Sequence, residues 1–318
     1  MAPEHRADRV RPAEAGRVAL LLGTYNGERF LPEQLRSLDA QTHAAIDIHA
    51  SDDGSTDRTA TLLSQAATIW RKGSFTLRRG PGQGFAENFR SLLTLELEAD
   101  YFGFADQDDI WLPDKIAAGI RALQPHGERP ALYCGRTRLI DAAGSDTGFS
   151  MLFPRPPGFQ NALVQSIAGG NTMMFNRAAH RLVSEAARRT GFVSHDWFAY
   201  QIVSGAGGAV IYSQDPKVLY RQHGDNLMGA NRGLRPRLAR LAAALGGQFA
   251  DWNRRNIAAL MACRDLLTPE AAVRLDQFAE AREAGLLRRF VLLWRAGLYR
   301  QTVAGQVSLY LAALLGKL

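Results

Sequence analysis

Asp106, Gln107, Asp108 and Asp109 follow directly on an apolar run, residues 101–105, that reads as a strand. Asp106 and Asp108 stand two residues apart, so in an extended turn both carboxylates can face one hard cation. Oxygen ligands of that kind suit Mg2+ or Mn2+, which keep several waters and take further oxygens from a diphosphate. A simpler account stands beside this one: Asp108 or Asp109 caps the helix that begins near Pro113, and the remaining acids are solvated.

Two more polar clusters have the same placement. Gly23-Thr24-Tyr25-Asn26-Gly27 closes an apolar run at 18–23, and Ser51-Asp52-Asp53-Gly54-Ser55-Thr56-Asp57 closes one at 46–51. In an open parallel sheet, ligands bind outside the carboxyl ends of the strands. One acidic turn there is commonplace, but three on one edge are far less expected by chance.

The elements that must position these clusters alternate. Strands are expected at 18–23, 46–51, 75–78 and 101–105. Helices are expected at 32–38, at 57–65 with Ser55 or Thr56 as cap, at 85–95, and from Pro113 to about 123. Such β-α-β-α alternation predicts an α/β, doubly wound, mostly parallel sheet. Further strands are expected at 131–134, 172–175, 208–211 and 217–221, with helices at 177–189 and 197–204. The Gly- and Pro-rich stretch 144–158 reads as a mobile loop. After Gly233 the composition turns to Arg, Ala and Leu with helical periodicity. The organisation expected is a flexible arm at 1–16, an α/β domain at 17–230 and a helical region at 231–318.

Bulk properties narrow the class. The 318 residues are 46% hydrophobic and 22% charged, which describes a globular protein. A net charge of +7 favours acidic partners without choosing among nucleic acid, anionic lipid and phosphorylated substrates. The two cysteines, Cys134 and Cys263, rule out a disulfide framework or a Cys-based zinc site and suit a reducing cytoplasm. Residues 1–16 lack the apolar core of a signal peptide, and no stretch reaches the ~18 apolar residues of a spanning helix. The glycine-rich segment 80–85 fails the G-x-G-x-x-G spacing, since Phe85 and Glu87 fall where the third small residue belongs, and no P-loop is present.

Taken together, Thr24-Tyr25-Asn26, Asp52 to Asp57 and the run Asp106-Gln107-Asp108-Asp109-Ile110-Trp111-Leu112-Pro113-Asp114-Lys115 resemble the motifs of glycosyltransferase family 2. Gly84-Phe85-Ala86-Glu87-Asn88-Phe89 is similar to its bacterial, rhamnosyltransferase-like branch. The resemblance runs in consistent order over roughly residues 17–225.

It implies a GT-A fold and an inverting transfer from a nucleotide-sugar. By position, Thr24, Tyr25, Asn26 and Asp53 would contact the nucleotide, with Asp53 accepting from a pyrimidine imide N–H. Asp106 and Asp108 match the D-x-D motif, Asp108 binding the metal and Asp106 supporting the ribose or the metal shell. Asp196, in His195-Asp196-Trp197, would be the base that deprotonates the acceptor. Read without the family, it is a first-turn helix acid. His195 departs from the Glu often found at that position. Arg221 would meet the diphosphate, and His223 the metal. The implied partners are a UDP- or dTDP-sugar and a saccharide or lipid-linked acceptor in bacterial surface polysaccharide synthesis.

In the last region, Arg282, Arg288, Arg289, Arg295 and Arg300 interleave with aliphatic and aromatic residues, as in basic amphipathic helices. Such helices lie on an anionic membrane surface or pack on the catalytic domain with the arginines solvated. A cytoplasmic protein, free or peripheral to the inner face of the cell membrane, fits both; nucleic acid is not expected as a partner, because no recognisable binding module is present. The rival functions are a nucleotidyltransferase, which would need a basic glycine-rich loop after the first strand, and a non-catalytic nucleotide-sugar-binding assembly protein.

Overall fold

The computed structural model describes residues 16–223 and 248–318. The arm at 1–15 and the expected domain boundary near 230 lie outside the described residues. The first half alternates as the pattern predicts: β1 (Val18–Thr24), α1 (Leu31–Asp39), β2 (Ile46–Asp52), α2 (Thr59–Ile69), β3 (Phe75–Arg79), α3 (Phe85–Leu93) and β4 (Tyr101–Ala105). A two-residue strand β5 (Ile110–Trp111) and helix α4 (Lys115–Leu123) follow. Then come β6 (Ala131–Gly135), β7 (Arg138–Ile140), β8 (Asp146–Phe149), the short α5 (Phe159–Ala162), β9 (Met174–Asn176), α6 (Arg177–Arg189), α7 (His195–Gly205), β10 (Ala209–Ser213) and β11 (Val218–Arg221).

The main sheet has seven strands in the order β10-β6-β9-β4-β1-β2-β3. All pairings are parallel except those of β9, which runs antiparallel between β4 and β6. The strand expected at 172–175 is shifted to 174–176, because residues 170–172 form a 3-10 turn. A second, four-stranded sheet, β5-β11-β7-β8, stands beside the first. It contains part of the stretch read as a mobile loop: residues 146–149 are a strand paired with β7.

β1 is buried on both faces, as its unbroken apolar run requires. Val18, Leu20 and Leu22 pack with Ile46, Ile48, Leu31, Leu38 and Leu63 on one side. Ala19 and Leu21 pack with Phe89, Phe102, Phe104, Phe175 and Phe198 on the other. This second core continues without a break into the C-terminal helices α8 (Gln248–Ala262), α9 (Pro269–Glu283), α10 (Leu286–Ala296) and α11 (Val303–Leu314), through Leu260, Leu275, Phe278, Leu293 and Leu309. The helical region therefore packs on the α/β domain.

Local chemistry corrects two expected caps. α2 starts at Thr59, and its first N–H is met by Asp57 Oδ1 at 3.0 Å, whereas the Ser55 hydroxyl donates to Asp52 and accepts from Asn26 N. α4 starts at Lys115, two residues beyond Pro113, and neither Asp108 nor Asp109 caps it.

The antiparallel strand is locked at one residue. Asn176 caps α6 by accepting from Ala179 N at 2.9 Å, accepts from Ala131 N at 3.0 Å, and donates to Gly127 O and Arg129 O. Asn176→Ala removes all four bonds and strands buried backbone groups. It is expected to cost about 2–4 kcal/mol in denaturant unfolding; a loss within 0.5 kcal/mol, about that of an ordinary surface change, would contradict the role.

Candidate active site

The turn after β4 brings the acids to the carboxyl edge of the sheet, next to the loop that follows β1. Gln107 ties the two together: its Oε1 accepts from Tyr25 N, and its Nε2 donates to Tyr25 O, both at 2.8 Å. The Tyr25 backbone is thus fixed while its side chain stays 57% exposed. The β1 and β2 loops are joined in the same way. Asn26, at φ 47°, accepts from Thr56 N at 2.9 Å and donates its own N–H to Ser55 Oγ at 2.8 Å. The left-handed conformation is one that Asn tolerates better than most residues. Thr24 is buried, and its hydroxyl donates to Asp52 Oδ1 at 2.9 Å.

Asp53 holds the glycine-rich loop. Its Oδ1 accepts from Gly82 N and its Oδ2 from Gly84 N, each at 2.7 Å. Both glycines have positive φ, 68° and 90°, a turn that brings the N–H groups of residues 82 and 84 onto one carboxylate. Each carboxylate oxygen keeps a second lone pair for another donor.

Beneath the acidic turn lies a cationic floor. Arg221 is fully buried, donates from Nε to Asp108 O at 3.0 Å, pairs with Glu33, and lies over the Phe30 ring at 4.7 Å. Its backbone N–H donates to Asp109 Oδ1 at 3.2 Å, and Asn171 Nδ2 donates to Asp109 Oδ2 at 2.5 Å. Asp109 is therefore an internal strut. Burial pushes its carboxyl well up, and burial pushes the Lys115 ammonium well down, although the two attract each other. Lys115 Nζ sits 3.3 Å from the centroid of the Trp111 ring.

Above this floor stand Asp106, Asp108 and Asp196. Burial, then the charges of Asp108 and Asp196, push the Asp106 carboxyl up to about 8. Asp196 thus lies close enough to Asp106 for mutual repulsion, although 90 residues of chain separate them. Asp196 occupies the first turn of α7, where the helix dipole favours a carboxylate. Its Oδ1 accepts from Trp197 N at 2.7 Å. His223 Nε2 lies 2.7 Å from Asp108 Oδ2, which orients that carboxylate.

Three crowded carboxylates with oxygen donors fit a divalent cation that completes its shell from diphosphate and water. Among the described residues no three His, Cys, Asp or Glu side chains form a ready-made metal cage. The structure sets His223 against Asp108 and Asp108 near Asp106, so the three residues expected at the metal lie together.

His195 fills a different role from an acid. It is buried, stacks on Phe89 at 3.7 Å, and burial lowers its pKa to about 4. A Cβ on Gly170 would fall 2.1 Å from its Nε2, so the 169–172 turn needs glycine there.

Of the residues expected to touch the nucleotide, Tyr25, Asp53 and Asp106 stay at the edge. Thr24, Asn26 and Arg221 are turned into the scaffold, their polar groups committed to Asp52, the β2 loop and the Asp108 backbone. The family resemblance implies Arg221 as a diphosphate ligand. Its burial arises from Glu33 and Phe30, nearly two hundred residues upstream. Gln107, Glu33, Lys115 and Asn171 are not predicted as site residues; Gln107 and Lys115 lie inside the quoted acidic motif, whereas Glu33 and Asn171 carry no comparable local signal.

Comparison with known proteins agrees with this geometry. The family model for glycosyl transferase family 2 matches residues 20–183. The dTDP-rhamnosyl transferase RfbG of Shigella flexneri is 31% identical over 234 residues, which are 69% of this chain and 78% of that protein. An uncharacterized glycosyltransferase of Nostoc is 31% identical over 111 residues, 34% of this chain and 33% of that protein. The solved structure of S. aureus TarS 1-349 in complex with UDP-GlcNAc matches 89% of this chain and 93% of its own, with a TM-score of 0.52 at 14% identity. That likeness concerns the GT-A fold alone.

The raised Asp106 carboxyl has a consequence for stability. Its folded value exceeds the unfolded one, so its contribution is complete below about pH 4 and is lost as pH rises through about 8. Asp106→Asn removes the ionisation. Its melting temperature should match wild type at acidic pH and exceed it by roughly 2–4 °C in alkaline buffer without metal. A variant less stable than wild type in alkaline buffer would contradict the repulsion.

Proposed function

The chain belongs to glycosyltransferase family 2, and from that premise we propose that it moves a sugar, with inversion, from a nucleoside diphosphate donor to a saccharide or lipid-linked acceptor of a bacterial surface polysaccharide. The observation that carries the reading is the convergence of Asp106, Asp108 and Asp196 on the edge that also bears Tyr25 and Asp53. The similarity to a dTDP-rhamnosyl transferase over most of both chains favours a dTDP-sugar over a UDP-sugar.

Each group then has a task. The exposed Tyr25 ring stacks on the base, and the spare lone pairs of Asp53 accept its imide N–H. The glycine loop that Asp53 fixes forms one wall of that pocket. Asp108, oriented by His223, and Asp106 would hold Mg2+ or Mn2+ against the diphosphate, where the cation neutralises the charge of the leaving group. Asp196 accepts the proton of the acceptor hydroxyl as its oxygen bonds to the anomeric carbon and the bond to the diphosphate breaks. Nucleoside diphosphate departs. Arg221, Lys115 and Asp109 set the height and tilt of the acidic turn without touching the donor.

Two substitutions separate these tasks. Asp108→Ala should abolish metal-dependent nucleotide binding and transfer together. Asp196→Asn should bind donor as wild type does while turnover falls about 10²–10⁴-fold. Release of nucleoside diphosphate, measured with a panel of donors and acceptors, reports the reaction; pyrophosphate release would mark a nucleotidyltransferase instead. Undiminished turnover in either variant would overturn the assignment.

A further inference from the structure

From residue 284 to residue 318 the chain contains no Asp or Glu, but carries Arg288, Arg289, Arg295, Arg300 and Lys317. The sequence pattern alone leaves those arginines either at an anionic membrane surface or on a solvated face. The structure turns Arg289 and Arg300 inward and leaves Arg288 and Arg295 exposed. Arg289 donates to Ala281 O, Ala284 O and Ala313 O at 3.1, 2.8 and 2.7 Å, tying off helix ends from within. Arg282 does the same for Ala250 O and Leu318 O, and Arg288 pairs with Glu280.

Beside the exposed Arg288 and Arg295, large apolar side chains also face outward. On α10, Leu287 (84% exposed), Val291 and Trp294 (77%) recur at i, i+4 and i+7. On α11, Val303 (83%), Val307, Leu311 and Leu314 recur at i, i+4, i+8 and i+11. Phe290 stacks on Tyr310 at 6.1 Å, so the two helices adjoin. Single exposed aliphatics are ordinary, but two neighbouring helical stripes are not what water selects. No helix of the described residues is long and apolar enough to cross a membrane.

Beside the start of α11 is a cleft of about 300 Å³ whose walls include Arg155, Arg300, Thr302, Val303, Gln306 and Tyr310, and no carboxylate. Arg155 lies over the Tyr299 ring at 4.1 Å and donates to Arg300 O at 3.1 Å. Arg300 donates to Ser308 Oγ at 3.2 Å, lies over the Phe249 ring, and makes no ion pair among the described residues. Burial lowers its pKa, as expected for a guanidinium without a counter-charge. The cleft has the chemistry of an anion site at the edge of an apolar face.

We propose that the outer face of α10 and α11 docks the protein on an anionic phospholipid bilayer, its two apolar stripes lying at the headgroup boundary and a lipid phosphate entering the Arg155–Arg300 cleft. Charge complementarity selects this occupant. A second copy set against the same face would oppose one acid-free, basic segment with another. A bilayer supplies apolar depth and negative charge together. Docking depends on neither donor nor acceptor, so it is measured without them and stands or falls apart from the proposed transfer.

The full chain is sedimented with vesicles of phosphatidylglycerol and phosphatidylethanolamine, and separately with phosphatidylcholine alone. Binding to the anionic vesicles, with a blue shift of tryptophan emission and weak binding to phosphatidylcholine, is expected. The surface variant Leu287→Glu/Val303→Glu should keep its circular dichroism melt and lose partitioning by at least about tenfold. Arg155→Gln should weaken anionic binding about fivefold and leave phosphatidylcholine unchanged. Failure to bind anionic vesicles, or a double variant that binds as wild type, would overturn the proposal. So would a lipid-free dimer that the double variant converts to monomer, since the face would then belong to a second copy.

Discussion

Repulsion among carboxylates is the constraint around which this site is built. Asp106, Asp108, Asp109 and Asp196 come from a four-residue turn and a distant helix start, and no unassisted fold would gather them on one edge. The structure makes the arrangement tolerable from below. Asp109 is sunk beside Lys115 and held by Asn171, while Arg221 grips the backbone of Asp108 and anchors to Glu33. Removing the Arg221 side chain would strip the Asp108 carbonyl of its donor, a loss that commonly costs about 1–3 kcal/mol. From above, relief is incomplete: Asp106 is still pushed up to about 8. The residual strain is electrostatic, and a bound cation would relieve it.

The scaffold converts that local problem into geometry. Parallel β1, β2 and β4 end at the same edge, and side chain–backbone bonds weld their loops into one rim: Gln107 to Tyr25, Asn26 to Thr56, Asp53 to Gly82 and Gly84. Rims of this kind preorganise donor contacts, so less ordering is left to the binding step. The antiparallel β9 serves the same end from the other side. Its position between β4 and β6 brings the preceding turn, with Asn171, against Asp109.

Much of this was legible in the chain. Apolar runs located β1 and β4 to within a residue, because burial on both faces leaves no alternation to misread, whereas the mixed β2 and the exposed edge strand β3 were legible from their place in the β-α alternation. The acidic motif and Asp196 were legible through resemblance, and the structure sets them close together. Less legible were features decided by residues far apart in sequence. Nothing near Arg221 announces Glu33 or Phe30, so a buried strut looked like a phosphate ligand. Asp53 looked free to meet a base, yet its oxygens already hold two glycine amides. β8 was hidden because a short edge strand of Asp-Thr-Gly-Phe lacks both apolar content and period. In α10, helical periodicity identified the helix, but tertiary contacts chose which arginines point inward.

The central claim is that the acidic edge exists to receive a cation bound to a nucleoside diphosphate. Calorimetric titration of dTDP with Mn2+ into the protein near neutral pH, repeated in buffers of different ionisation enthalpy, tests it directly. Burial and the neighbouring carboxylates raise the Asp106 carboxyl, so binding of the cation should be accompanied by proton release. The release should disappear in Asp106→Asn. Binding with no proton release, or with release undiminished in that variant, would contradict the account.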